Sequence, residues 1–364
     1  MRQATRLIND GSFSLRVAIH PDDYTAKGRD PGDDAASGRW KAFLEAEGLE
    51  VKIVDVRSPS ILDELDDCDG FMWRWAHFGG MGRIAHRLLP VIEREVAIPT
   101  YPDQATCWHY DDKAAQALLF KVHEIPTPRT WVFYDRATAL SWLSEQQFPL
   151  VMKLATGAGS ENVVLLKSLD EALRAVLHIF ENYVLKLKQP PKLGWVGRVK
   201  ALGRQVFLGR KPLWRDTGYE PQAGYAYFQE FLPDNEFDTR ITIIGNRAFG
   251  FRRWNKVGDF RASGSGRIDY DASRIDERFI RLAFLTAQRL RMQSCAIDGL
   301  LRENQPVVGE VSYTFMARAI YDCPGHWELV GEPESGNLLW KEGHMWPEEA
   351  QIKDFVVRLR GENK

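Results

Sequence analysis

Apolar and polar positions follow two rhythms along the first hundred residues. "LRVAIH" (15–20), "EVKIVDV" (50–56) and "GFMWRW" (70–75) are short β-rich runs. "ASGRWKAFLEAEG" (36–48), "SPSILDELDD" (58–67) and "MGRIAHRLLPVIEREV" (81–96) carry the three-to-four spacing of amphipathic helices. Strands alternating with helices predict a parallel sheet with functional loops at the carboxyl ends of its strands. From Tyr101 the texture changes. Helices are predicted over 111–125, 135–147 and 169–184, with a proline-punctuated strand at 125–133 and a strand, glycine loop and return strand over 148–168. A strand-rich stretch (225–269), a helix (276–291) and a hairpin, "AIDGLLRENQPVVGEVSYTF" (296–315), complete the pattern. The fold class is α/β followed by α+β.

A chain of 364 residues exceeds one simple core, so two or three domains are expected. Apolar residues make up 44% and aromatics 12%, which supports globular folding. Lysine plus arginine is 48 and aspartate plus glutamate 50, so 48 − 50 gives a net charge of −2 and no global preference for a polyanion. The four cysteines (Cys68, Cys107, Cys295, Cys323) are scattered, with no CxxC pair, which fits a reducing compartment better than a zinc site or a disulfide framework. No apolar run has the length of a membrane span and the amino terminus lacks a signal core, so a cytoplasmic location without a membrane span is expected.

The hairpin places an acid in each of two apolar strands. With Glu303–Asn304–Gln305 as the turn, Arg302 faces Pro306, Leu300 faces Val308, and Asp298 faces Glu310. Facing Cβ atoms lie about 4.5–5.5 Å apart, and two carboxylates that close repel by roughly 3 kcal/mol at an effective dielectric near 20. The simplest relief is a divalent cation, and oxygen ligands suit magnesium. Ser312, on the same face, adds a third oxygen. The plainer alternative is an exposed hairpin whose acids point to water.

Two further stretches suit anionic oxygens. In "VMKLATGAGSENVVLL", Lys153 ends an apolar strand, and Gly157 and Gly159 let backbone N–H groups approach phosphates. Neither GK[ST] nor GxGxxG is present, and a flexible hairpin remains the alternative. In "YFQEFLPDNEFDTRITIIGNRAFGFRRWNKVGDFRASGSG", the strand edge "YFQEFL" can offer backbone groups to a purine. Glu236 and Asp238 fall within reach of a ribose hydroxyl, and Arg240, Arg253 and Arg261 have the fork that grips phosphate or carboxylate. Otherwise this is a well-charged antiparallel sheet.

The ordered set "DDK", "FPLVMK", "QEFL", "DTR", "GDFRAS", Asp298 and "EVS" resembles the ATP-grasp ligases over about residues 70–315, in particular the RimK-like branch and glutathione synthetase relatives. The resemblance implies three domains, ATP held between two lobes, and a carboxylate activated as an acyl phosphate and then attacked by an amine. It divides the chain into a parallel α/β domain (1–104), a central lobe (105–226) with a lid at 149–185 and a basic insertion at 186–215, a second lobe (227–335) and a tail (336–364). By position, Lys113 and Lys153 match phosphate-contacting lysines. Glu230, Phe231 and Leu232 match the adenine hinge, and Asp238 the ribose contact. Arg253 and the Arg261–Ala262–Ser263 loop fall at the triphosphate and acyl phosphate, and Asp298, Glu310 and Ser312 match the magnesium ligands. Ser312 stands where the family usually has asparagine, and "TGAGSEN" is less glycine-dense than is common. The expected cofactors are ATP and Mg2+. The expected reaction is amide formation between an amine and a small-molecule or saccharide carboxylate, a style of chain associated with bacterial surface-polysaccharide loci. The alternatives are a non-catalytic ATP-binding protein and a phosphotransferase.

Other signals stay open at this stage. Arg74, in "WRWAHFGG" (73–80), can grip an acceptor carboxylate, while Trp73 and Trp75 read equally as core. Cys323 and His326 in "YDCPGHW" form a Cys–His pair or a structural turn. The 186–215 stretch carries nine basic side chains and no acidic one. It reads as a solvated face, an anionic-substrate clamp or, last, a nucleic-acid patch, and no nucleic-acid partner is expected. A homodimer is compatible with the sequence.

Overall fold

The computed structural model describes residues 15–22, 35–76, 80–157, 162–182, 184, 222–256, 258–262 and 265–361. The basic insertion 186–215, together with Gly159 and Ser263, lies outside the described residues.

Three sheets organise the chain. The first contains β1 (Arg16–Ile19), β2 (Glu50–Ile53), β3 (Gly70–Met72) and β4 (Thr100–Tyr101), all parallel, in the order β2-β1-β3-β4. The pleat sends Val17 and Ile19 to one face and Ala18 to the other, which joins a separate core. On the Val17 face, Trp40 and Leu44 of the helix Ala36–Ala46 meet Ile352, Phe355 and Val356 of the helix Pro347–Leu359. Trp73 and Trp75 are core residues, each 2% exposed.

The second sheet is antiparallel, with β5 (Thr130–Phe133), β6 (Leu150–Lys153), β7 (Val163–Leu166) and β8 (Ala226–Glu230) in the order β5-β8-β6-β7. The helix Leu169–Glu181 turns Ala172, Val176 and Ile179 inward, and its first turn is capped by Ser168 Oγ, which accepts from Glu171 N at 3.3 Å.

The third sheet holds β9 (Phe237–Ile244), β10 (Arg247–Trp254), β11 (Ile268–Asp269), β12 (Ser294–Arg302), β13 (Gln305–Ser312), β14 (Gly325–Val330) and β15 (Asn337–Glu342). Its order is β13-β12-β9-β10-β14-β15, with β11 on β10. The expected boundary at 335/336 falls in the turn of the β14–β15 hairpin. The last residues are therefore no tail, because they finish the third sheet and close the first. β15 escaped detection because it is an edge strand exposed at most positions and so lacks alternation.

The helix Glu277–Arg289 buries Phe279, Ile280, Ala283 and Phe284. Gly299 makes this seat possible, since a Cβ there would meet the Phe279 ring at 2.4 Å. Gly299→Ala is expected to destabilise the fold by about 1–3 kcal/mol, the usual cost of overpacking, read as a lower midpoint in denaturant unfolding at unchanged slope. Among the described residues no helix is long and apolar enough to cross a membrane.

Candidate active site

The β12–β13 hairpin reaches its key register by an unexpected route. The turn is two residues, Glu303 and Asn304, both left-handed with φ of 51° and 61°, so Arg302 faces Gln305 and Gly299 faces Val308. An irregularity follows between Asp298 and Gly299, and beyond it Asp298 faces Glu310. The three-residue turn was wrong by one position, and the bulge restores the expected pairing of the acids.

Cations already answer much of their repulsion. Arg240, the neighbour of Asp298 on β9, donates from Nε to Oδ1 at 2.6 Å and from Nη2 to Oδ2 at 2.8 Å. Arg253 Nη2 stands 2.7 Å from the same Oδ2 and also forks onto Asp238 at 2.8 and 2.5 Å. Burial pushes the Asp298 carboxyl up, but Arg240 and Arg253 outweigh it and hold it well below the usual range. Asp238 moves the other way, raised by burial and by the Asp298 charge. Burial likewise opposes the Arg253 charge, and the two acids overcome it. Glu310 pairs with Lys113 Nζ at 3.1 Å.

"YDDK" supplies the facing wall through local backbone logic. Asp111 adopts a left-handed φ of 56°, and its Oδ1 accepts from Gly157 N at 2.8 Å. Asp112 caps the next helix by accepting from Ala115 N at 2.9 Å. Lys113, first in that helix, extends to the Gly157 carbonyl at 3.2 Å. Gly157 is thus held at both its backbone groups. Its φ of 132° and the 2.6 Å approach of Asn162 to a built Cβ leave no room for another residue. Burial raises the Asp111 carboxyl to about 6.

Lys153 ends β6 on the same cavity. Its ammonium makes no hydrogen bond or ion pair among the described residues and lines the cavity. Desolvation pulls its ammonium down to about 8, with Glu310 opposing and Lys113 adding to the fall.

The cavity measures about 550 Å³ and collects Lys113, Lys153, Gly157, Asp238, Arg261, Ala262, Asp298, Glu310, Ser312 and Arg74. Phe231, Leu232, Val151, Phe260 and Leu300 form an apolar slot in its wall. Glu230 lines it too, yet its side chain is committed to Arg129 at 2.7 Å and Arg302 at 3.0 Å, and its backbone N–H donates to the Arg129 carbonyl at 2.9 Å. Arg253 sits behind Asp298 and does not line the cavity, whereas Arg240 does. Arg261 is tied to Asp259 and donates to the Val163 carbonyl at 3.3 Å, linking its loop to β7. Glu236 is exposed and outside the cavity. Tyr110, Asn235 and Thr314 also line it. No motif marked them, since they come from a helix approach and two loops.

The acid pair fits a hard dication as far as its chemistry goes. Both side chains reach the cavity, and Glu310 is 36% exposed. Among the described residues no group of three or more His, Cys, Asp or Glu side chains is placed to hold a metal, so phosphate oxygens would have to complete its shell. Ser312 Oγ donates to the Thr314 carbonyl at 2.9 Å and accepts from Thr314 N at 3.3 Å, which leaves one lone pair for a cation. The Cys–His alternative fails on environment. Cys323 is 1% exposed, and burial pushes its thiol up to about 12.

Nucleotide-sized space between two mixed lobes, with a parallel α/β domain in front, defines the ATP-grasp fold, and this chain has that fold. A RimK-domain ATP-grasp protein from Sphaerobacter thermophilus superposes with a TM-score of 0.51 at 16% identity, covering 94% of this chain and 100% of the other. D-alanine–D-alanine ligase from Bacillus anthracis, complexed with ATP, gives 0.54 at 12% identity, covering 96% and 100%. In sequence, the α-aminoadipate–LysW ligase LysX of Saccharolobus solfataricus is 24% identical over 190 residues, 52% of this chain and 56% of its own length. The chain therefore spans just over half of the curated relative that it matches. No protein-family model matches the sequence.

Proposed function

We propose that this protein is an ATP- and magnesium-dependent ligase that joins a carboxylate to an amine through an acyl phosphate. The observation that carries the reading is Lys153, a desolvated ammonium without a partner among the described residues, lining a cavity of about 550 Å³ opposite a carboxylate pair. Such a cation is costly unless an anion completes it. A triphosphate supplies that anion and brings its own metal to Asp298 and Glu310. Magnesium, when bound there, would neutralise phosphate charge that otherwise repels the incoming carboxylate. Lys113 and Lys153 hold phosphate, Arg240 faces the reacting oxygens, and the apolar slot at Phe231 and Leu232 takes the base. The Asp259–Arg261 loop, through its bond to the Val163 carbonyl, keeps water from the acyl phosphate. The printed name of the archaeal relative, a ligase, agrees with this chemistry. An acidic saccharide as the carboxylate rests on the sequence resemblance alone.

The test is ADP release against a matrix of carboxylates and amines. Turnover requiring ATP, Mg2+, one acid and one amine together is expected. ADP formed with an acid alone would mark a phosphotransferase. Tight ATP binding without turnover across the matrix would mark a non-catalytic binder, a reading that the occupied Ser312 hydroxyl favours.

A further inference from the structure

The third sheet ends differently on its two sides. β13 forms one edge, and the chain at 126–127 covers it. Val308 N donates to the Pro126 carbonyl at 2.7 Å, and Thr127 Oγ1 donates to the Val308 carbonyl at 2.9 Å. β15 forms the other edge, and among the described residues no strand pairs with its outer side. Its sequence, "NLLWKE", is apolar at the centre, and Leu339 and Trp340 are 45% and 41% exposed. An open edge that carries exposed apolar side chains is a template for a further strand.

Hydrogen-bond phase fixes which of its residues face outward. In an antiparallel pair, alternate residues exchange backbone bonds with the neighbouring strand, and the residues between them point the other way. Leu329 N donates to the Asn246 carbonyl at 2.9 Å, so the odd positions of β14 bond toward β10 and the even ones toward β15. The even positions His326, Glu328 and Val330 lie opposite Lys341, Leu339 and Asn337. Gly343 N, which donates to the Pro324 carbonyl at 2.9 Å, continues the same series. The N–H and C=O groups of Leu338, Trp340 and Glu342 therefore point away from β14, into the open edge.

That edge is complementary to itself in one register. A two-fold axis sets β15 antiparallel to the β15 of a second copy, and outward residues must then meet outward residues. With Trp340 opposite Trp340, Leu338 would face Glu342 and Leu339 would face Lys341. With Trp340 opposite Glu342, two Lys341 ammonium groups would oppose each other. With Trp340 opposite Leu338, Leu339 meets Leu339 on the axis and Asn337 meets Lys341. Apolar then faces apolar, an amide faces an ammonium, and the one lysine of the edge lies off its apolar centre. Cross-strand aromatic and aliphatic pairs of this kind stabilise a sheet. Trp340 already packs on Trp327 with ring centroids 4.8 Å apart, which holds its indole ready for a partner.

We propose that this protein forms a two-fold dimer through β15, with Trp340 opposite Leu338 and Leu339 opposite itself. Leu338 and Trp340 exchange their backbone bonds on both sides of the axis, and the two third sheets become one. Association stops at two copies, because each open edge is used up and the β13 edge is covered. The interface is small, so the dimer is reversible. It needs neither ATP nor substrate, and its failure would leave the ligase reading untouched.

Sedimentation velocity of the full chain at rising concentration tests the dimer. A shift from the mass of one chain to the mass of two is expected. Leu339→Lys sets two ammonium groups face to face on the axis, where like charges repel. Leu339 is exposed, so this variant should keep the circular dichroism of the wild type while remaining at the mass of one chain over the same range. Cysteine pairing reads the register. Facing residues that share no backbone bond have Cα atoms about 4.5 Å apart, within disulfide reach, so Leu339→Cys should cross-link to its copy under mild oxidation. Lys341→Cys is comparably exposed, but the axis places the two substituted positions at opposite ends of the pairing. It should cross-link about tenfold more slowly or less. The native cysteines are buried and do not compete. A wild type that stays at the mass of one chain, a dimer that survives Leu339→Lys, growth beyond two copies, or equal cross-linking by the two cysteine variants overturns the proposal.

Discussion

Lys153→Met should weaken ATP binding by about 10- to 100-fold while making the unliganded protein slightly more stable. The loss follows from removing a charge-assisted contact worth roughly 1.5–3 kcal/mol. The gain follows from desolvation. The ammonium is pulled down to about 8 from an ordinary 10.5, so the folded protein pays to keep it charged. Between those pH values the unfolded chain holds the proton that the folded chain has lost, and stability from this group rises with pH across that window. A bound triphosphate reverses the balance by favouring the ammonium. ATP affinity in the wild type should therefore fall as pH rises through about 8, and binding near pH 8.5 should take up a proton. Calorimetry in two buffers of different ionisation heat reads that uptake directly. In Lys153→Met both the uptake and the pH dependence of affinity disappear. Unchanged affinity in the variant would remove Lys153 from the phosphate site.

The sequence was legible where periodicity or backbone chemistry is local. Alternating strands and helices exposed the first sheet, because β1 and β3 are buried and their helices present one apolar stripe. "YDDK" and "TGAG" were visible as charge beside glycine. What the sequence could not show is which cation meets which acid. The metal was inferred as the simplest relief for facing carboxylates, yet Arg240 and Arg253 come from β9 and β10, some fifty residues away, and do part of that work. The helix Pro347–Leu359 is hidden for the same reason, since it reads as a tail until Phe355 and Ile352 are seen under the first sheet. The hairpin turn is hidden because a two-residue left-handed turn and a later irregularity cancel in the final register.

Asp298→Asn and Glu310→Gln should separate stability from catalysis although the two acids face each other. Asp298 is forked by Arg240 and approached by Arg253, all three largely buried, so neutralising it leaves two guanidinium groups to share Asp238. Breaking a buried pair in this way typically costs about 3–5 kcal/mol. Asp298→Asn should accordingly unfold at markedly lower temperature. Its carboxylate is held well below the normal range, and the wild type should lose that contribution only in strongly acidic solution, as pH falls through the depressed folded value. Among the described residues Glu310 has a single ion pair, to Lys113, and an exposed flank, so Glu310→Gln should fold with stability within about 1 kcal/mol of wild type. Both variants should nevertheless lose about 10²- to 10³-fold in magnesium-dependent ADP release, the range for removing one preorganised electrostatic group. Thermal unfolding without nucleotide measures the first quantity and steady-state ADP release the second. Equal destabilisation by both substitutions would mean that the arginines do not carry the Asp298 charge. Full activity in Glu310→Gln would move the metal elsewhere in the cavity.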